Sequence, residues 1–280
     1  MNEKVKYLSI IGAGFTGKQI AAHAALYNYN IHVFDINSDI LEVAKKYITG
    51  VLKRKNKIEK IEKVYYSTNL NEALKETDLV IEAVPEDLPL KKKVFSQIDD
   101  LAPPHAIIAT NSSSYPVSKI EDAVQRKDKV LNIHFYPPIP TRPMADIARG
   151  TQTSDETFEI GKSWIESIEC TPLVVKKDCL GFVFNRLWRA VKKECIEIWA
   201  GGFADVEDVD KAWKIFTGMN MGPYTLMDGI GLDVVYAVEL SYYEETGDPK
   251  DKPPQDFKEL VERGELGMKT GKGFYNWRKK

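Results

Sequence analysis

The chain is short of several things that would narrow its class at once. Three cysteines (Cys170, Cys179 and Cys195) in 280 residues are too few, and odd in number, for a disulfide framework. Histidines number four, and no Cys/His spacing suggests zinc, so no metal is expected. No apolar run approaches the ~18 residues that span a bilayer. The start, Met1-Asn2-Glu3-Lys4, leads straight into an apolar stretch without a signal-peptide pattern. Charge of one sign is not in excess: 39 Lys plus Arg against 41 Asp plus Glu leave −2. That balance argues against a nucleic-acid partner and against a polybasic membrane surface. Repeats, low-complexity tracts and linkers are also missing. What is present, 43% hydrophobic residues with 10% aromatics, supplies a core large enough to need no covalent staple. The expectation is a soluble cytoplasmic protein.

The apolar pattern changes character along the chain. Over the first 175 or so residues, short apolar runs (5–11, 30–35, 79–84, 106–110 and 130–134) alternate with amphipathic stretches. Residues 16–29 read as a helix, with Ile20, Ala24 and Tyr27 at helical spacing, and Ser38 is placed to cap a long helix through Asn56 or beyond. Such alternation implies a mostly parallel sheet covered on both faces, with the doubly wound dinucleotide fold as the leading case. From about Leu180 strand-like runs stop, and residues 181–200, 206–216 and 232–245 carry helical period. The predicted architecture is α/β: a Rossmann-type domain over 1–179, then an all-α domain over 180–280.

The sharpest local signal is Gly12-Ala13-Gly14-Phe15-Thr16-Gly17, a G-x-G-x-x-G turn. It follows an apolar strand, opens a helix, and is followed about 20 residues on by Asp35 at the end of the next strand. Gly12 permits the tight turn, Gly14 lets a pyrophosphate approach the backbone, and Gly17 allows close helix–sheet packing. N–H groups at the helix start, Phe15 and Thr16 among the turn residues, would hold the phosphates. Asp35 would accept hydrogen bonds from the adenosine ribose. Its charge would repel a 2′-phosphate and no Arg or Lys follows it directly, so NAD is expected over NADP. The bland alternative is a glycine turn in an ordinary α/β protein.

Further segments bring a family into view: VIEAVPEDLPLK at 80–91, TNSSS at 110–114, NIHF at 132–135, LGFVFNRL at 180–187, GPYTLMD at 222–228 with GLD at 231–233, and MKTGKGFYNW at 268–277. Together, and in order over essentially the whole chain, these resemble the L-3-hydroxyacyl-CoA dehydrogenase family. That family includes 3-hydroxybutyryl-CoA dehydrogenases, and relatives acting on non-CoA substrates share the pattern. The resemblance implies a small-molecule substrate, a place in fatty acid metabolism and a homodimer paired through the helical domain. It implies that His134, spaced from Ser113 as in the family, is the catalytic histidine and that Asn185 matches the asparagine early in the helical domain. It also puts Asn111 beside the nicotinamide and brings Glu86 and Lys91 near the cofactor.

The chemistry suits those residues. Oxidising a secondary alcohol needs a hydride acceptor and a base for the hydroxyl proton, and imidazole titrates near neutrality. A carboxylate partner would fix its tautomer, while Ser113 and Asn185 could donate hydrogen bonds to the substrate oxygen. Each also has a plainer reading: a core histidine, a turn serine, an asparagine bonded within its helix.

Two departures from the family pattern bear on the substrate. Pro137 stands where an asparagine is usual, and Asp146 where the resemblance places the glutamate that partners the histidine; aspartate is one methylene shorter, so partnership would need closer strands or a water. Arg142, in the same loop, is either a solvated charge or a clamp for a substrate carboxylate. The Lys-rich stretch 45–63, Lys53 included, is either a solvated helix face or a contact for the phosphates of coenzyme A. The favoured reaction is interconversion of a short-chain L-3-hydroxyacyl-CoA and its 3-keto form. Alternatives are a dehydrogenase of a non-CoA 3-hydroxy acid or diketo ester, and a non-catalytic NAD-binding structural protein.

Overall fold

The computed structural model describes residues 4–177 and 179–279. The chain divides into two compact units, one through Val183 and the other from Phe184 onward. In chain order the first contains β1 (Tyr7–Ile11), α1 (Gly17–Ala24), β2 (Asn30–Phe34), α2 (Ser38–Arg54), β3 (Val64–Ser67), α3 (Leu70–Leu74), β4 (Leu79–Glu82), α4 (Leu88–Leu101), β5 (Ile107–Thr110), β6 (Val130–Phe135), β7 (Met144–Arg149), α5 (Asp155–Ser167) and β8 (Thr171–Val175). The strands form one sheet in the order β3-β2-β1-β4-β5-β6-β7-β8. Every pairing is parallel except β6 with β7. Strand order reverses at β1, whose neighbours are β2 and β4, and this switch point is where open α/β sheets bind ligands.

Side chains alternate across each strand, and here both faces are covered. On β4 and β5, Leu79, Ile81, Ile107 and Ala109 join a core with α1, α2 and α5 (Ile20, Leu41, Ile48, Trp164). Their neighbours Val80 and Ile108 pack on the other side with Phe95 and Ile98 of α4. This two-sided burial is why the strands read as continuous apolar runs.

Some expected boundaries move. The helix anticipated over 16–29 stops at Ala24: Leu26 and Tyr27 donate to the carbonyls of His23 and Ala24 in tight turns, which return the chain so that Asn30 can bond Lys6 at the start of β2. Ser38 is the first helical residue of α2, and the cap is Asn37, whose side chain accepts from the Asp39 N–H at 2.8 Å. That helix ends at Arg54, with Asn56 beyond it left-handed at φ 54°.

The second unit contains α6 (Phe184–Ala200), α7 (Val206–Thr217), α8 (Pro223–Ile230), α9 (Leu232–Thr246) and α10 (Gln255–Glu262). Among its described residues no β-strand is present. Its core gathers Ile196, Tyr224, Met227, Leu232, Val235, Phe257 and Leu260. Two buried aspartates organise it. Asp210 accepts from the Tyr224 and Thr225 N–H groups at the start of α8 (2.9 and 3.0 Å). Asp228 accepts from Phe274 N–H, Tyr275 N–H and Trp277 Nε1 (3.0, 2.9 and 2.8 Å). The motifs at 222–228 and 268–277 are therefore joined to each other, as a fold device. No helix among the described residues is long and apolar enough to cross a membrane.

Candidate active site

The glycine turn is shaped by close backbone approaches. Gly12 sits at φ 101°, and a Cβ there would come within 2.7 Å of the Ala83 carbonyl oxygen. At Gly17 a Cβ would lie 1.8 Å from the Gly12 carbonyl oxygen, so α1 leaves β1 at an angle only glycine permits. Gly14 differs: apart from its own chain neighbours, no atom of the described residues lies within 4 Å of where its Cβ would be, so its backbone faces open space. Asp35 closes the other side. Its Oδ2 accepts from the Ala13 N–H at 2.9 Å and its Oδ1 from the Asn37 N–H at 3.0 Å, which fixes the carboxylate at the end of β2. An open glycine cradle at a helix start, with a fixed carboxylate beside it, fits the phosphates and ribose of a dinucleotide.

Next to this turn a ring of hydrogen bonds braces the loop after β5. Glu82, fully buried at the end of β4, accepts from Lys91 Nζ at 2.8 Å, from the Val84 N–H at 2.8 Å and from Thr110 Oγ1 at 2.7 Å. Lys91 also reaches the Val84 carbonyl at 3.3 Å and Glu86 at 3.2 Å. Its ammonium donors are thus committed to protein oxygens, and what it lends the crevice is charge. Glu86 Oε1 in turn accepts from Ser112 Oγ (2.5 Å) and from the N–H groups of Ser113 (3.1 Å) and Ser114 (2.8 Å). Burial pushes the Glu86 carboxyl up, but Lys91, Ser112 and the Ser114 N–H together hold it below its ordinary value. Asn132 Nδ2 donates to the Thr110 and Ser112 carbonyls at 3.0 and 3.2 Å. This bracing connects the segments 80–91, 110–114 and 132–135. Glu82 was not singled out in the sequence reading; its signal is a carboxylate ending an otherwise apolar strand.

β6 carries His134 beyond this loop. β7 runs antiparallel with Asp146 directly opposite His134 in the ladder, and Nδ1 meets Asp146 Oδ2 at 3.2 Å. The shorter aspartate therefore reaches the imidazole without a bridging water. Tyr136 donates its hydroxyl hydrogen to the same Asp146 oxygen, a contact the sequence reading missed. Two rings flank the imidazole: Tyr136 edge-on at 4.6 Å and Phe182 stacked at 5.4 Å. Asn111 Oδ1 accepts from the Phe135 N–H at 2.9 Å, which leaves its amide hydrogens for the crevice.

A single crevice of about 940 Å³ is lined by Gly12, Gly14, Phe15, Thr16, Asp35, Glu86, Lys91, Asn111, Ser113, His134 and Pro137. Gly17 lies behind its wall as a packing residue, and Asp146 stands behind His134. Exposed Lys53, in the last turn of α2, and exposed Arg142 are not among its lining residues. Asn185 lies in the first turn of α6, in the helical unit.

Known proteins similar to this chain are numerous. Residues 7–179 match the NAD binding domain of 3-hydroxyacyl-CoA dehydrogenase, and residues 181–277 match its C-terminal domain. Human mitochondrial hydroxyacyl-coenzyme A dehydrogenase is 32% identical over 289 residues, covering 98% of this chain and 92% of that protein. The solved structure of (S)-3-hydroxybutyryl-CoA dehydrogenase from Ralstonia eutropha is similar at a TM-score of 0.90, with 32% identity over 98% of this chain and 99% of that one. A solved diketoreductase gives 0.87 and 31%, over 97% and 99%. Both units match in order over nearly their whole length; the chain belongs to the 3-hydroxyacyl-CoA dehydrogenase family of NAD-dependent dehydrogenases.

Proposed function

We propose that this chain interconverts a short-chain L-3-hydroxyacyl-CoA, such as 3-hydroxybutyryl-CoA, and the corresponding 3-ketoacyl-CoA, with His134 as general base. The observation that carries the reading is that His134, tied at Nδ1 to Asp146, lines the same crevice as Gly14 and Asp35. Gly12, Gly14, Phe15 and Thr16 would hold the dinucleotide phosphates, Asp35 the adenosine ribose, and Asn111 with Glu86 the nicotinamide end. Bound NAD supplies the hydride acceptor, and NADH the donor in the reverse direction.

His134 Nε2 takes the proton of the substrate hydroxyl. Asp146 accepts from Nδ1–H, so the ring presents its lone pair at Nε2, and the carboxylate stabilises the imidazolium that forms. In the reducing direction the imidazolium returns the proton to the forming alkoxide. Ser113 donates a hydrogen bond to the substrate oxygen, on a turn whose backbone Glu86 already holds. The family resemblance assigns Asn185 a hydrogen bond to the same oxygen, and Asn185→Ala tests that separately. Pairing of two copies through the helical unit is supported by the apolar residues exposed there on and after α7: Ile215 and Phe216, 76% and 93% exposed, with Met219 and Met221. Equilibrium sedimentation reads that directly. All three cysteines are unpaired, as suits a reducing compartment such as the cytoplasm.

The second reading, reduction of a non-CoA keto acid or diketo ester, is favoured by the similarity to the diketoreductase and by Pro137 on the crevice wall. Arg142, the clamp that reading would use, is exposed and does not line the crevice, and Arg142→Ala tests its part. Steady-state kinetics with NADH, comparing acetoacetyl-CoA with free keto acids and diketo esters, decide between the two. A thousandfold preference in kcat/KM for the thioester, about 4 kcal/mol of transition-state binding, is the expected result; a preference for the free compound selects the second reading, and no turnover of either overturns both.

A further inference from the structure

We propose that Tyr136 is a positioning residue for the base: its phenol clamps Asp146 so that this short carboxylate holds His134 in one orientation and one tautomer. The inference rests on the reading of His134 as general base. Tyr136 follows His134 by two residues, just past the end of β6 at Phe135, and it is buried, 6% exposed. It is not among the residues lining the crevice, so it acts through Asp146.

Reach is the first reason. Asp146 lies directly across the ladder from His134, yet its Oδ2 stands 3.2 Å from Nδ1, the long end of a normal N–H···O bond. A carboxylate hung on one Cβ and held by one long bond can rotate about its side-chain torsions. Its other oxygen, Oδ1, is buried with no hydrogen-bond partner among the described residues and restrains nothing. The Tyr136 hydroxyl is the second tether on Oδ2.

Donor logic is the second reason. An ionised carboxylate only accepts, so both the phenol and Nδ1 must present hydrogen to it. With Nδ1 protonated, the Nε2 lone pair is the one left for the crevice. Two donors on one oxygen also offset part of the desolvation of an anion that is 1% exposed. The Tyr136 ring, packed edge-on at 4.6 Å against the imidazole and opposed by stacked Phe182, limits ring rotation. The phenol thus supplies what one more methylene on the acid would have supplied: a carboxylate that cannot swing away.

The test uses the full chain with saturating NADH and the better of acetoacetyl-CoA and a free keto acid. His134→Ala serves as the reference, Tyr136→Phe as the probe, and Tyr136→Phe with Asp146→Glu as the rescue. Tyr136→Phe is expected to lower kcat about tenfold to a hundredfold, the range seen when a partner behind a functional histidine is removed, while both KM values stay within about twofold. The longer glutamate reaches Nδ1 without the phenol and restores kcat to within about threefold. Nitrogen-15 spectra of histidine-labelled protein give a second readout: Nδ1–H in the wild type, mixed tautomers in Tyr136→Phe. Unchanged kcat in Tyr136→Phe beside an inactive His134→Ala overturns the inference and spares the base. A fall that glutamate does not rescue, with the tautomer unchanged, also overturns it. An active His134→Ala removes the base assignment, and this inference with it.

Discussion

Glu82 and Asp146 are both buried carboxylates on the same sheet, each paired with a nitrogen base, and they are satisfied in opposite ways. Glu82 fills both oxygens: Lys91 and the Val84 N–H on one, Thr110 on the other. Asp146 gathers His134 and Tyr136 on one oxygen and leaves the other without a hydrogen-bond partner among the described residues. The lysine of the first pair is 1% exposed and committed on all sides, whereas the histidine of the second lines the crevice. A fully satisfied pair holds a loop still. On the proposed function, the difference separates the part of the site that positions from the part that reacts.

Breaking the reactive pair should have the largest effect on rate and a small effect on the fold. His134→Ala is expected to lower kcat roughly a thousandfold, within the range for loss of a general base, while the NADH dissociation constant, read by fluorescence titration, changes less than about threefold. Wild-type kcat would remove the histidine from the mechanism.

The scaffold pair should behave the other way. Lys91→Met leaves Glu82 buried without its cation, which costs about 3–5 kcal/mol. At ~2–4 °C per kcal/mol for a chain of this order, the melting temperature should fall by roughly 10 °C. Adding Glu82→Gln should recover most of that, because the uncompensated charge is then gone. A melting temperature unchanged in the single variant would mean the pair does not hold the loop.

Asp35→Ala sharpens the comparison at the adenosine end. Loss of charged hydrogen bonds, about 1.5–3 kcal/mol, should raise the KM for NADH about tenfold or more and narrow its advantage over NADPH. Part of the rise comes from the Ala13 and Asn37 N–H groups, which lose their acceptor. Retained discrimination against NADPH would place the ribose contact elsewhere.

The smallest expected effect is acid-dependent. Glu86 titrates below its ordinary value in the folded chain, so its contribution is in full above the ordinary carboxylate range and disappears as pH falls through the lowered folded value. The side chain is 36% exposed, which weakens that contribution. The melting temperature of Glu86→Gln should lie a few degrees below wild type at neutral pH, and the gap should close on acidification. A gap that widens in acid would reverse the assigned sign.

The sequence disclosed most where the determinants are consecutive. The glycine turn, Asp35 and the change to helical period near Leu180 are local, and the apolar runs correspond to β1, β2, β4, β5 and β6. β3 reads VYYS, without an unbroken aliphatic run, and β8 contains Pro172, so neither announces itself. α8 and α10 are only eight residues each. The opposition of His134 and Asp146 is a matter of ladder register, which the intervening prolines do not encode locally. Tyr136 and Glu82 acquire meaning only through partners on other elements.

The one antiparallel pairing of the sheet also says which parts of the chain are at liberty to drift. Ladder pairs from Leu131–Arg149 to Phe135–Ala145 hold the couple in register whatever the length or composition of the loop at 137–143. A single-residue deletion inside β7 would send the carboxylate to the opposite face of the sheet. Rewriting the loop, where Pro137 lines the crevice, therefore leaves His134 and Asp146 facing each other across the strands.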